Sequence, residues 1–184
     1  MLIRPAVLTA ALVLAVGAFV TPAIRGAVHA DAPAEGAYAL LRPAARKAAP
    51  GFSLTDLSGR KIDLAQDRGQ VVLLDFWAVD CGGCKIEVPW YVDFDRRYRS
   101  QGLAVIGVDM YGEAPAKIRP FMARAHMDYP VAVGNDAIGQ RFGVTEMPLT
   151  LLIDRKGRVA IAHAGIVDRA QFEDDIRALL AEKR

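Results

Sequence analysis

The feature that most restricts the fold is the stretch Val71-Val72-Leu73-Leu74-Asp75-Phe76-Trp77-Ala78-Val79-Asp80-Cys81-Gly82-Gly83-Cys84. A continuous apolar run of this length reads as a β-strand buried on both faces. It ends at two cysteines spaced C-x-x-C, and a helical pattern follows at once through Lys85, Ile86, Val88 and Trp90. A strand-to-helix junction places the first sulfur at a helix N-terminus, where unpaired N–H groups and the helix dipole favour a thiolate. The second sulfur lies one turn further in, close enough to form a small Cys81–Cys84 disulfide ring, as reversible thiol–disulfide exchange requires. Cys81 is therefore the expected nucleophile and Cys84 the resolving thiol, together moving two electrons without a cofactor. The alternatives are a pair of core cysteines or half of a metal site. A zinc site needs two more ligands. The 184 residues hold only these 2 cysteines, and His29, His126 and His163 are scattered, so no metal is expected.

Charge and length narrow the class. Of 23 basic residues, Arg4 and Arg25 lie in the first 30, which carry no acid, and the remainder balance the 21 acidic residues. A neutral body argues against nucleic acid or an anionic membrane as the main partner. Residues 1–30 combine a basic start, an apolar run from Ala6 to Val20 and an A-x-A-like end at Val28-His29-Ala30, the pattern of a cleaved signal peptide. The apolar run of about 20 residues from Pro5 to Ile24 also suffices to span a bilayer, so an uncleaved anchor is the alternative. In either case the folded part is exported. Residues 31–49, rich in Ala with Pro33 and Pro43, read as a linker. They leave room for a short helix around Tyr38 to Leu41, and Arg42, Arg46 and Lys47 form a solvated face. Residues 50–184 are long enough for one domain with one core.

Within that domain, Pro50 to Asp56 and Leu57 to Leu64 read as two short strands across a Ser58-Gly59 turn. The active-site helix is expected from about Gly82 to Arg99 with Pro89 inside it, and a second buried strand over Leu103 to Val108. Next come a helix from near Ala114 to about His126, a strand at Tyr129 to Val133 and a short helix from Asn135 to Phe142. A buried strand at Pro148 to Asp154, a strand at Arg158 to His163 and a helix from Asp168 to Leu180 complete the chain. Asp168 and Gln171 make a capping-box-like start to that last helix. The strand–helix–strand spacing implies right-handed crossovers and a mostly parallel sheet.

Leu74-Asp75-Phe76-Trp77-Ala78 followed by Cys81-Gly82-Gly83-Cys84-Lys85 resembles the thioredoxin active-site segment. Lys85-Ile86-Glu87-Val88-Pro89 resembles the TlpA/ResA-like branch of extracytoplasmic thiol–disulfide oxidoreductases. The resemblance covers residues 50 to 184. It implies an α/β thioredoxin-like fold, a central mixed sheet flanked by helices, with an N-terminal β-hairpin extension and a central strand–helix insertion. Two residues depart from the family's pattern: Asp80 stands where it usually has Trp, and Gly83 where it usually has Pro. A carboxylate beside Cys81 disfavours its thiolate, and glycine adds backbone freedom that makes ring closure harder.

The resemblance also assigns roles. Asp75 matches the aspartate that sits beneath the second cysteine and relays its proton; a carboxylate inside an apolar run is costly and its pKa is raised by desolvation. The alternative is a solvated position at the strand edge. Glu87 matches the branch's active-site glutamate, able to share the proton work, against the alternative of an ordinary exposed helix carboxylate. Pro148 leading a buried strand is unusual because proline cannot donate to a ladder. The family has a cis-proline here, facing the C-x-x-C, with the Met147 backbone turned outward to pair with an extended substrate peptide. Met147, Pro148 and Trp77 are thus the expected substrate-binding residues, Trp77 by buttressing the Cys81 loop.

The implied function is that of an exported thiol–disulfide oxidoreductase that reduces protein disulfides, for example in apocytochrome c or copper-site thiols. A membrane thiol–disulfide donor would in turn reduce it. The alternative from another class is a soft-metal carrier holding Cu(I) on the same two thiolates. A peroxidase of the peroxiredoxin kind shares the fold, but the P-x-x-x-T-x-x-C setting of its cysteine is missing.

Overall fold

The computed structural model of the chain describes residues 39–183. The expected leader, residues 1–30, lies outside them. Strand β4 (Val71–Trp77) is buried along its whole length, as its apolar run requires. On one side it pairs in parallel with β5 (Leu103–Asp109), which pairs in parallel with β6 (Val131–Val133). On the other side β7 (Leu149–Ile153) runs antiparallel to it, followed by β8 (Arg158–Ala164) and β1 (Lys47–Ala48), each antiparallel to its neighbour.

The six-stranded order is therefore β1-β8-β7-β4-β5-β6. The sheet is mixed, and the spacing argument for a mostly parallel sheet holds only for its β4–β5–β6 half. In the other half β7 and β8 are antiparallel because a tight turn links them. The Gly157 N–H donates to the Asp154 carbonyl at 2.7 Å, and the Asp154 carboxylate accepts the Lys156 and Arg158 N–H groups. Gly157 sits at φ 72°, a conformation that costs glycine little.

Alternation along β4 decides what each face carries. Val72, Leu74 and Phe76 join the core formed with Phe52, Ile62 and Ile138. Phe52 directly precedes β2 (Ser53–Thr55), Ile62 lies in its hairpin partner β3 (Lys61–Asp63), and Ile138 lies in the short helix α3 (Asp136–Phe142). Leu73 and Trp77 join the opposite core with Cys84, Val88 and Tyr91 of α1 (Gly82–Tyr98), Ile118 of α2 (Pro115–Ala125), and Phe172 and Ile176 of α4 (Arg169–Ala181). Asp75 shares the second face by the same period. No helix among the described residues is long and apolar enough to cross a membrane.

At α4 the Asp168 carboxylate accepts the Gln171 N–H at 2.8 Å, and the Gln171 side-chain amide also donates to Asp175 at 3.3 Å. A local expectation changes at the linker. A short 3₁₀ turn (Pro43–Ala45) and β1 fall inside the expected tether, and β1 extends the sheet at the β8 edge. Arg46, expected on a solvated face, is buried instead. Its guanidinium pairs with Asp154 at 3.2 Å and Glu182 at 2.7 Å, and donates to the Leu41 carbonyl. Sequence patterning missed this because the acids that neutralise Arg46 lie more than a hundred residues away.

Arg46→Ala should destabilise the protein by about 2–3 kcal/mol, since it leaves Asp154 buried with Arg158 as its remaining cation. Denaturant unfolding checks this. An unchanged midpoint would mean that residues 41–48 are not part of the cooperative unit.

Candidate active site

The redox centre is built by the β4–α1 junction. Cys81 is the N-cap of α1, and its sulfur accepts the Cys84 N–H at 3.1 Å. The two cysteines form a disulfide with Cα atoms 5.3 Å apart. Cys81 is 8% exposed and Cys84 2%, so the helix-capping sulfur is the one nearer solvent. The Met147–Pro148 peptide is cis, and Pro148 lies against Gly83 at the start of α1. A Cβ on Gly83 would stand 3.0 Å from Pro148 Cδ and 3.2 Å from Ile166 Cγ1. Gly83 therefore lets the β7 entrance and the β8–α4 loop close tightly on the disulfide. Met147 is half-buried and precedes the β7 ladder.

Beneath the helix lies a buried acidic pair. Asp75 faces α1 and has no exposed surface to speak of, which excludes the strand-edge alternative. Its Oδ1 has no hydrogen-bond partner among the described residues. Burial, with the Glu87 charge adding to it, pushes the Asp75 carboxyl well above the usual carboxylate range. Glu87 is also buried, at 1% exposure, so it is not an ordinary surface carboxylate. Its Oε1 accepts the Val167 N–H at 2.8 Å. Burial pushes it up to about 7, against the opposing pull of that N–H. The Tyr91 hydroxyl pairs with Thr150 Oγ1 at 2.8 Å, and Thr150 is the cross-strand partner of Asp75. Burial, reinforced by the Asp75 and Glu87 charges, pushes the Tyr91 phenol well up.

A second group of charges holds the loop before Cys81. The Glu113 carboxylate accepts the Val79 N–H at 2.8 Å, and the Glu113 N–H donates to Asp109 Oδ1 at 2.8 Å. Lys117 pairs with both Glu113 and Asp80, the latter at 2.5 Å. Burial pushes Asp109 up to about 6. Burial acts on Glu113 in the same sense, but Lys117 and the Val79 N–H outweigh it and hold Glu113 below its ordinary value. Asp80, read from the sequence as an uncompensated carboxylate beside Cys81, is thus paired with an ammonium that holds it below the usual range.

Of the residues picked from sequence, Cys81, Cys84, Asp75, Glu87, Met147 and Pro148 come together at this junction. Trp77 does not reach a substrate surface. It is fully buried and packs on Phe121 with ring centroids 5.2 Å apart, so it buttresses the loop from within. Tyr91 was missed although Cys84, Glu87, Val88 and Tyr91 share one helix face by their spacing. Thr150, Glu113 and Lys117 act through contacts between distant segments and leave no local signal.

The AhpC/TSA family matches residues 45–162. A thiol-disulfide oxidoreductase ResA of Bacillus thuringiensis subsp. konkukian is 31% identical over 135 residues, 72% of this chain and 77% of that protein. The ResA of Bacillus subtilis is 30% identical over 127 residues, 68% and 70% of the two chains. Among solved structures, a thiol:disulfide interchange protein DsbE from Chlorobium tepidum superposes with a TM-score of 0.69 at 32% identity, covering 74% of this chain and 97% of that one. The fold is thioredoxin-like.

The Glu87 shift has a sign that can be measured. Its pKa rises from 4.5 unfolded to about 7 folded, so the native state binds the extra proton between those values and stability falls as pH rises through them. Glu87→Gln keeps an acceptor for the Val167 N–H and removes this loss. The variant should gain on the parent across that window by up to roughly 3 kcal/mol, with no further gain at higher pH. Urea unfolding at a series of pH values gives the difference curve, and a flat curve would refute the buried ionisation of Glu87.

Proposed function

The chain belongs to the AhpC/TSA family and is a thiol–disulfide oxidoreductase, and on that footing we propose that it works outside the cytoplasm as a reductant of protein disulfides. The observation that carries this reading is the Cys81–Cys84 disulfide at the start of α1, on the core side of the sheet that also holds the buried Asp75 and Glu87. In the reduced protein the helix start and the Cys84 N–H stabilise the Cys81 thiolate. That thiolate attacks one sulfur of a client disulfide, giving a mixed disulfide and releasing the other client sulfur as a thiolate that takes up a proton. Cys84 then loses its proton and attacks Cys81 Sγ. This step closes the Cys81–Cys84 disulfide and frees the second client thiol, so the client has gained two electrons.

The carboxylates give Cys84 a nearby proton acceptor while withholding any charge that would favour its thiolate. A dithiol not held as a thiolate pair is not stabilised against its disulfide, which suits a donor of electrons rather than an oxidant. Cis-Pro148 and the Met147 backbone form the docking edge for an extended client segment. The client class is a disulfide-bearing exported protein, such as an apocytochrome c or a copper-site protein whose cysteines must be reduced before the metal centre is assembled. A membrane thiol–disulfide donor returns the enzyme to the dithiol. The leader at residues 1–30 exports the chain, by cleavage after Ala30 or as a retained anchor.

Trapping tests the division of labour. Cys84→Ser should accumulate mixed disulfides with client proteins on non-reducing gels, because the second attack is blocked. Cys81→Ser should accumulate none, and the reverse pattern would exchange the two roles.

A further inference from the structure

Lys117 belongs to the insertion helix α2, far in sequence from the cysteines, yet its ammonium sits between two carboxylates of different kinds. One is Asp80, exposed and directly preceding Cys81. The other is Glu113, buried, whose second oxygen accepts the Val79 N–H. Glu113 is itself fixed, because its N–H is bound by Asp109 at the end of β5, and Asp109 is in register with Trp77 at the end of β4. The next residue, Met110, donates its N–H to the Trp77 carbonyl at 2.9 Å. The residues just before Cys81 are thus tied to the end of β5 by backbone and carboxylate contacts, and Lys117 closes the set.

We propose that Lys117 is a positioning residue for Cys81: it cancels the charge of the carboxylate beside the nucleophile and holds the Val79–Asp80 turn through Glu113. An exposed ion pair adds little to stability, so the consequence falls on the neighbouring sulfur. Without Lys117, Asp80 and Glu113 present unbalanced negative charge on the Cys81 side of the junction. The remaining charged groups there are Lys85 on α1 and the buried Asp109, with the buried Asp75 and Glu87 on the α1 side of the sheet. Lys85 also faces Asp80 and lowers its pKa, but no ion pair joins the two among the described residues. The Asp80 position thereby tolerates a carboxylate without the loss of thiolate that a bare one would bring.

The proposal rests on Cys81 being the attacking thiol, and the test separates the two. In a Cys84→Ser background, the rate of Cys81 alkylation by iodoacetamide is followed against pH, together with thiolate absorbance. Lys117→Gln should raise the Cys81 midpoint and slow alkylation at neutral pH by on the order of threefold. Lys117→Arg, which keeps the charge, should behave as the parent. Asp80→Asn combined with Lys117→Gln should recover most of the loss. A purely structural role would shift the melting temperature without following charge. A midpoint indifferent to Lys117→Gln, a loss equally large in Lys117→Arg, or no recovery in the double variant would each overturn the proposal. If Cys81 failed to alkylate in every variant, the nucleophile assignment would fall instead.

Discussion

A carboxylic acid held inside a β-sheet is the constraint on which the rest of this site depends. Asp75 occupies the middle of a strand whose other residues are apolar and fully covered. Burying an ionised carboxylate there is costly, so its pKa is pushed well above the usual carboxylate range. Glu87 lies across from it on α1 and is raised by its own burial. In the proposed mechanism, a buried carboxylate with a raised pKa is a base strong enough to take the Cys84 proton. The same burial that makes the pair expensive makes it useful.

The surrounding elements fix this acidic pair in place. Period-two alternation points Asp75 at α1 rather than at the hairpin face. Helix spacing brings Cys84, Glu87 and Tyr91 onto the facing surface. Thr150 ties the Tyr91 hydroxyl to β7, two residues after the cis-proline. Val167, in the loop before α4, fixes the Glu87 carboxylate with its N–H. Above the disulfide, Pro148 and Ile166 come so close that only glycine fits at position 83 without displacing them. The departure from proline there has a steric reason as well as an effect on chain freedom.

Much of this was legible in the sequence. The buried strand, the C-x-x-C at a helix start, the hairpin and the order of the later elements follow from apolar runs, caps and turn residues, whose signals are local. The redox pair, Asp75 and Pro148 stand out because each breaks a local rule: two thiols at a junction, an acid in a core strand, a proline at the head of one. Glu87 could be noticed by its spacing, but spacing alone does not say whether a helix face is covered. The signals that failed are the non-local ones. Arg46 reads as a surface cation until Asp154 and Glu182 come to meet it. Asp80 reads as a bare charge until Lys117 is folded against it.

The central claim is that Asp75 takes the proton of Cys84 during the resolving attack. The most direct measurement is single-turnover reduction of insulin by Asp75→Ala and the parent protein, followed by stopped flow between about pH 6 and pH 9. The account predicts that the variant resolves the mixed disulfide on the order of tenfold or more slowly near neutrality and approaches the parent at the alkaline end, where Cys84 ionises unaided. A variant whose rate tracked the parent at every pH, or fell by the same factor throughout, would contradict it.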